Sequence, residues 1–144
     1  MPDSPQIPFS ALMTLLRRHL QAALAGAGIS LSPPQGQLLG LIAASPGISP
    51  QALAAATGRD KAQITRHLAA LEAYIQRQSD PKDARRQCLS LNQQGQSLAI
   101  AYAKVRQQAQ AAAFAPLTDA ERQQLAALIG KCLAPGAEPG NSAS

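Results

Sequence analysis

The sequence predicts a mainly α-helical chain with one small β-hairpin, and three observations support this fold class. The length of 144 residues fits one domain. Apolar residues recur at three- and four-residue steps through most of the chain, as they do in amphipathic helices. Only residues 74–77 and 87–91 show the alternation expected of strands, with turn-forming residues between them.

Capping residues divide the first part of the chain into three predicted helices, over 7–25, 33–44 and 50–57. Ser32 and Ser49 each precede a proline, and a capping serine followed by proline favours a helix N-terminus. Glycines follow the first and the third of these helices, where helices commonly end.

A fourth helix is predicted to begin after Asp60, with a narrow apolar stripe formed by Ile64, Leu68 and Leu71. Gln63 lies three residues after Asp60, and two interpretations of it remain open. It is either the partner of Asp60 in a capping box or a side chain that contacts DNA bases.

Two further helices follow the hairpin. Asn92 is predicted to cap a helix over 93–114, and Thr118 with Glu121 forms a capping box for the last helix. Cys132 lies on the apolar face of this last helix and is expected to be a small core residue.

The positive charge of the chain is clustered. The net charge is +5, and seven of the 13 basic residues lie between Arg59 and Arg86, with four acidic residues among them. Such clustering predicts a polyanionic partner, of which double-stranded DNA is the leading candidate.

The order of the elements is that of a winged helix-turn-helix: two helices joined by a turn, a helix with a basic face, and a hairpin with arginines at its tip. The fourth helix would enter the major groove while the wing reaches phosphates or the minor groove. The flanking helices are amphipathic but have little core to cover, because only 3% of the residues are aromatic. We therefore expect two copies of the chain to pair as a homodimer.

Several segments of this region carry a family resemblance, namely LSPPQ at 31–35, ISPQALA at 48–54, ITRHL at 64–68, IQR at 75–77, DPKDAR at 80–85 and LSLNQQG at 89–95. Their order and spacing resemble those of the multiple-antibiotic-resistance regulators, the MarR family of bacteria. The resemblance implies a homodimeric transcription regulator, usually a repressor, that binds a near-palindromic operator. It also implies release from DNA by a small aromatic ligand or by thiol oxidation.

The predicted organisation of the chain has four parts. They are an N-terminal dimerisation helix over 7–28, a winged helix-turn-helix over 30–96, C-terminal dimerisation helices over 97–133 and a disordered tail over 134–144. The sequence departs from the family between the fourth helix and the wing. There Leu71-Glu72-Ala73 continues directly into the strand, two residues shorter than usual and without the family's glycine. The orientation of the wing is the feature that this shortening affects. The first helix also has no cysteine, unlike that of the peroxide-sensing branch.

The candidate DNA-binding residues lie on the fourth helix and the wing. Arg66 and Thr65 are expected to contact bases or phosphates, and the resemblance implies that Arg85 enters the minor groove and that Asp83 orders the loop. The whole predicted set is Lys61, Ala62, Gln63, Thr65, Arg66, Arg77, Asp83, Arg85 and Arg86. The predicted dimerisation residues are Leu12, Leu16, Leu20, Leu125, Leu128 and Ile129.

Other classes of protein lack support in the sequence. We find no nucleophile-base-acid set, phosphate-binding loop or His/Cys metal spacing, and therefore expect no enzymatic activity, cofactor or metal. The sequence contains no apolar run long enough to span a membrane, so we expect no membrane partner. The chain is expected to be cytoplasmic with reduced thiols. The alternative function is a winged-helix module for protein interaction or dimerisation in which DNA binding is weakened.

Overall fold

The computed structural model describes residues 4–135 and contains the predicted elements in the predicted order. Their bounds are α1 Phe9–Gly26, α2 Pro33–Ala44, α3 Pro50–Thr57, α4 Lys61–Ala70, β1 Ile75–Asp80, β2 Asp83–Leu91, α5 Gln93–Ala113 and α6 Asp119–Leu133. A 3-10 turn, Glu72–Tyr74, joins α4 to β1. The mainly α fold with a two-stranded antiparallel hairpin is thus confirmed. Of the predicted disordered tail, residues 136–144 lie outside the described residues.

The helix boundaries follow from local capping, as the sequence predicts. Ser32, Asp60 and Thr118 each form a complete capping box, in which side chain and backbone exchange two hydrogen bonds. Asn92 caps α5 by accepting a hydrogen bond from the backbone N–H of Gly95. Gly58 ends α3 at φ +67°, a left-handed conformation that favours glycine. These ends set the short turn between α3 and α4.

The core has two parts. The larger lies beneath the helix-turn-helix and joins α2, α3 and α4 to the hairpin, through the buried residues Leu38, Leu39, Ile42, Leu53, Ile64, Leu68, Leu71, Ile75, Leu89 and Leu91. In the smaller, Leu24 of α1 packs against Tyr102 and Val105 of α5. The winged helix therefore has its own complete core, to which α1 is attached through α5.

The wing is fixed to the helical core at Leu89. The side chain of Leu89 is fully buried, and its backbone N–H donates to the carbonyl of Ile48 at 2.8 Å. Its carbonyl accepts a hydrogen bond of 2.8 Å from the N–H of Gly47. Strand β2 is thus bonded to the turn between α2 and α3 as well as to β1.

A second joint closes the base of the wing against α5. The amide nitrogen Nδ2 of Asn92 donates to the carbonyl of Ala73 at 2.8 Å, and the backbone N–H of Asn92 donates to the carbonyl of Tyr74 at 3.0 Å. Gly95 faces this carbonyl so closely that an added Cβ atom would lie 2.4 Å from the oxygen. The 3-10 turn, the wing and α5 therefore meet at one tightly packed point.

Two details of the sequence prediction are corrected. The first helix begins at Phe9 rather than at residue 7, because Pro8 disfavours the helical conformation of the residue before it, Ile7. Cys132 is exposed in the single chain rather than part of its core, because α6 buries none of its own residues.

Gly95→Ala should lower the free energy of unfolding by about 1 to 3 kcal/mol, because the new methyl group would overlap backbone and could be accommodated only by moving it. Gly40→Ala is the matched control, since an added Cβ there meets nothing within 4 Å. This control should instead raise the free energy of unfolding by about 0.5 to 1 kcal/mol through helix propensity. Urea denaturation at one protein concentration measures both. Equal effects of the two substitutions would contradict the close packing at Gly95.

Candidate nucleic-acid interface

Helix α4 is amphipathic, with one apolar face and one polar face. Ile64 and Leu68 are buried in the larger core. On the other side the predicted residues Lys61, Ala62, Thr65 and Arg66 are all exposed. The hydroxyl of Thr65 donates to the carbonyl of Lys61 at 2.9 Å and keeps its methyl group available for contact. The polar face presents the side-chain types that contact base edges and phosphates.

Gln63 occupies the capping position rather than the exposed face. Its backbone N–H donates to Oδ1 of Asp60 at 2.8 Å, and its side-chain Oε1 accepts from the backbone N–H of Asp60 at 3.3 Å. Of the two interpretations that the sequence left open, the capping box is the one that the structure contains.

The two faces of the wing strand β2 have different surroundings. Leu89 and Leu91 are buried, and strand alternation places Arg85 and Gln87 on the same face, beyond the edge of the core. Arg86 is exposed and belongs to the opposite face. Of the two adjacent wing arginines, Arg85 therefore lies on the side of α4 and Arg86 on the side away from it.

Asp83 orders the tip of the wing. Its Oδ1 accepts a hydrogen bond of 3.0 Å from the backbone N–H of Arg85. Asp80 makes a similar contact with the backbone N–H of Lys82, at 2.9 Å. These bonds fix the turn backbone and do not use the side chains of Lys82 and Arg85.

A groove of about 520 Å³ lies between α3, α4 and the wing. Its floor is apolar, and its rim carries three of the predicted cationic residues. It is lined by Pro50, Gln51, Ala54, Lys61, Ile64, Thr65, Leu68, Arg77, Arg85 and Gln87. The structure thus brings Lys61, Thr65, Arg77 and Arg85 to one surface feature.

Arg77 is held by neighbouring side chains. Its Nε and Nη2 donate to the two carboxylate oxygens of Glu72, at 3.2 and 3.0 Å, and its Nη1 donates to Oε1 of Gln87 at 2.9 Å. Glu72 and Gln87 were not among the candidates from the sequence. The available signal was an acidic residue five positions before the strand arginine, close enough to pair with it across the shortened joint.

The bidentate contact changes the titration of Glu72. Hydrogen bonds from Arg77 and its positive charge lower the pKa of the Glu72 carboxyl below its ordinary value of 4.5. The pKa of Glu121 is also lowered, in this case by hydrogen bonds from Thr118 in the capping box of α6.

This arrangement is similar to that of proteins of the MarR family. Residues 29–86 match the MarR family model. The chain is similar to a solved structure of MarR, with 26% identity, a TM-score of 0.74, and coverage of 88% of this chain and 96% of the other. A Mycobacterium tuberculosis MarR family protein in complex with salicylic acid is 25% identical, with a TM-score of 0.72 and coverage of 91% and 98%. No match to a curated protein is found.

The chain has the fold of the MarR-family winged-helix proteins, and the match to the family model itself covers residues 29–86. The apo form of wild-type MarR from E. coli, at 23% identity, has the same fold with a TM-score of 0.76 over 90% of this chain and all of the other.

The joint that is short for the MarR family is an ordered turn here. Helix α4 ends at Ala70, and the 3-10 turn leads into β1 without any left-handed residue. Leu71 takes the end position with φ −101° and remains fully buried. The missing glycine therefore does not prevent the hairpin from packing on the core.

Residues 4–135 contain neither a candidate metal-binding cluster nor a helix suited to span a membrane. No cluster of His, Cys, Asp or Glu that could hold a metal ion occurs among these residues. Within the same range, none of the helices combines the length and apolar character needed to cross a membrane.

Arg77→Gln should return the pKa of Glu72 toward 4.5 and leave that of Glu121 lowered. The ion pair stabilises the folded state fully above the unfolded pKa of Glu72, and this stabilisation is lost as the pH falls through the lower folded pKa. Carbon-13 NMR titration of the glutamate carboxyl carbons measures both values, with Glu121 as the internal control. An unchanged pKa of Glu72 in the variant would show that the contact with Arg77 does not persist in solution.

Proposed function

We propose that this chain is a homodimeric, sequence-specific DNA-binding transcription regulator, with repression as its mode of action. The observation that carries the proposal is the placement of the polar face of α4 and the wing residue Arg85 on either side of one cation-rimmed groove. A recognition helix beside a basic wing is the arrangement with which winged helices bind duplex DNA. The match of residues 29–86 to the MarR family model supports the same function.

In the proposed complex, α4 enters the major groove with Arg66 and Thr65 toward the bases. Lys61 and Arg86 contact phosphates, and Arg85 reaches the adjacent minor groove. Two subunits would place their α4 helices in successive major grooves, so the half-site centres should lie about 10 bp apart.

Dimerisation is supported by apolar surface that the single chain leaves uncovered. Leu128 and Ile129 of α6 are 52% and 43% exposed, and Phe9 and Met13 of α1 are 63% and 41% exposed. A helix with an apolar face and no buried residue requires a partner to be stable in water. We infer that α1, α5 and α6 of two copies interlock through the predicted set Leu12, Leu16, Leu20, Leu125, Leu128 and Ile129. Leu20 of this set also packs against the smaller core of its own chain.

The ligand in this proposal is a small aromatic acid that releases the regulator from DNA. One solved relative, the MarR family protein from Mycobacterium tuberculosis, forms complexes with salicylic acid and with p-aminosalicylic acid. The groove between α4 and the wing offers an apolar floor at Ile64 and Leu68 with cations at Lys61 and Arg85, which suits an aromatic ring bearing a carboxylate. A ligand in this groove would compete directly with DNA, so salicylate should weaken duplex binding.

The deciding experiment is selection of bound sequences from a random duplex pool, followed by gel-shift titration of the selected duplex over a range of salt. The expected result is an enriched near-palindrome whose affinity falls with salt by a slope of about −0.9 per phosphate contact. No enrichment and a flat salt dependence would overturn the proposal in favour of the protein-interaction module.

Arg66→Ala should weaken binding to the selected operator by about 1 to 3 kcal/mol and relax the preference at one base position per half-site. Arg18→Ala is the matched control, because Arg18 is an exposed arginine of α1, outside the proposed DNA-binding surface. Titration against single-base variants of the operator measures both effects. A uniform loss over all base variants would instead assign Arg66 to a phosphate.

Leu128→Asp should convert the dimer to a monomer, because it buries a charge in the proposed apolar interface. Ala127→Asp is the matched control. It adds the same charge at the preceding residue of α6, on the side of the helix opposite to Leu125, Leu128 and Ile129. Sedimentation at micromolar concentration should show a 15.0 kDa species for Leu128→Asp and a dimer for the control. The assigned interface is wrong if both variants remain dimeric.

A further inference from the structure

The contacts of Arg77 connect three separate parts of the chain. Glu72 lies in the 3-10 turn at the end of α4, Arg77 lies in β1, and Gln87 lies in β2. Three of the five guanidinium N–H groups of Arg77 are used in bonds of 2.9 to 3.2 Å to these two partners. We refer to Glu72, Arg77 and Gln87 as the wing clamp.

The geometry of the wing clamp restricts the angle of the hairpin relative to α4. A guanidinium binds a carboxylate through two parallel bonds only when the two planes are aligned. The third bond then locates Gln87, which lies two residues from Arg85 on the same face of β2. The position from which the Arg85 side chain leaves the strand is therefore coupled to the end of α4.

The same contacts make Arg77 a poor partner for a phosphate. The Glu72 carboxylate neutralises its charge locally, and the side chain of Arg77 is only 34% exposed. Arg86 differs in both respects. It is exposed, and it forms no ion pair with any residue in the described range 4–135.

We propose that Glu72 and Arg77 are positioning residues, which set the reach of Arg85 into the minor groove and do not themselves bind DNA. This inference rests on the proposed function. It gives Arg77, a candidate DNA-binding residue in the sequence, the role of a fixed point of the wing instead of a contact with DNA. It also gives the short joint a physical basis, because a spacing of five residues lets the carboxylate at the end of α4 reach the strand arginine.

The two possible roles of Arg77 predict different effects of Glu72→Gln on DNA binding. If Arg77 is a positioning residue, Glu72→Gln releases the wing, and the preference for operators with A·T-rich flanks should fall by about 2- to 10-fold, as expected for coupled neighbours. If Arg77 is a phosphate contact, removal of the competing carboxylate should raise the affinity for all duplexes and leave the flank preference unchanged. Titration of wild type and variant on A·T-flanked and G·C-flanked operators separates the two results.

Two further variants test the geometry. Arg77→Lys keeps the charge but loses the planar fork, and it should lose flank preference as Glu72→Gln does. Arg86→Gln removes one charge from the opposite face of the wing, so it should lower the salt slope by about 1 and preserve flank preference. In an Arg85→Ala background, which lacks the minor-groove contact, Glu72→Gln should have no further effect on flank preference. An additive effect there would overturn the proposal.

A measurement without DNA keeps the inference separate from the proposed function. Spin labels at Lys82→Cys in the wing tip and Ala69→Cys on α4, with Cys88 and Cys132 replaced by Ser, report the distance between wing and helix. Glu72→Gln should broaden the distance distribution, and Arg86→Gln should not. An unchanged distribution in Glu72→Gln would refute the wing clamp even if the protein binds DNA. If the wild type selects no operator, the proposed function fails while this measurement still tests the clamp.

Discussion

The anchoring of Leu89 is the constraint from which the arrangement of the wing follows. Its side chain is fully buried in the larger core, and both of its backbone polar groups are bonded to the turn between α2 and α3. Because the anchor acts through side chain and backbone together, β2 can neither slide nor rotate without exposing a leucine and losing two hydrogen bonds. The helix-turn-helix and the wing are therefore one packed unit.

The alternation of side chains along β2 extends this constraint from the core to the surface. From Leu89, two-residue steps lead to Gln87 and then to Arg85, so the burial of one leucine decides which wing arginine faces α4. The same register places Arg77 of β1 directly opposite Leu89. Arg77 thus emerges at the edge of the core, where its stem is covered and its guanidinium meets Glu72 and Gln87. Hydrophobic packing positions the polar groups of the candidate interface.

The sequence predicted those features that depend on neighbours along the chain. The caps at Ser32, Asp60 and Thr118 involve residues three positions apart, so a short pattern contains both partners. The wing clamp was missed because its geometry depends on how the chain turns between α4 and β1, and a shortened family motif gives the length of that turn but not its conformation. Gln87 was missed for the related reason that it lies ten residues from Arg77 and meets it only through the hairpin register. Cys132 was misplaced because an apolar stripe shows that a face is buried somewhere, and not that its own chain buries it.

Helix α5 links the base of the wing to α6. At its N-terminus, Asn92 and Gly95 close the base of the wing. At its C-terminus, Arg122 of α6 donates to the carbonyls of Phe114 and Leu117 at 3.2 and 2.7 Å and holds the corner between α5 and α6. An α-helix of 21 residues is about 30 Å long and resists bending, so its two ends move together. A partner that covers α6 and shifts this corner must also shift the joint at Gly95, where the backbone carbonyl of Tyr74 lies directly against the helix. In the proposed dimer, the position of the wing would for this reason depend on the partner copy as well as on the single chain.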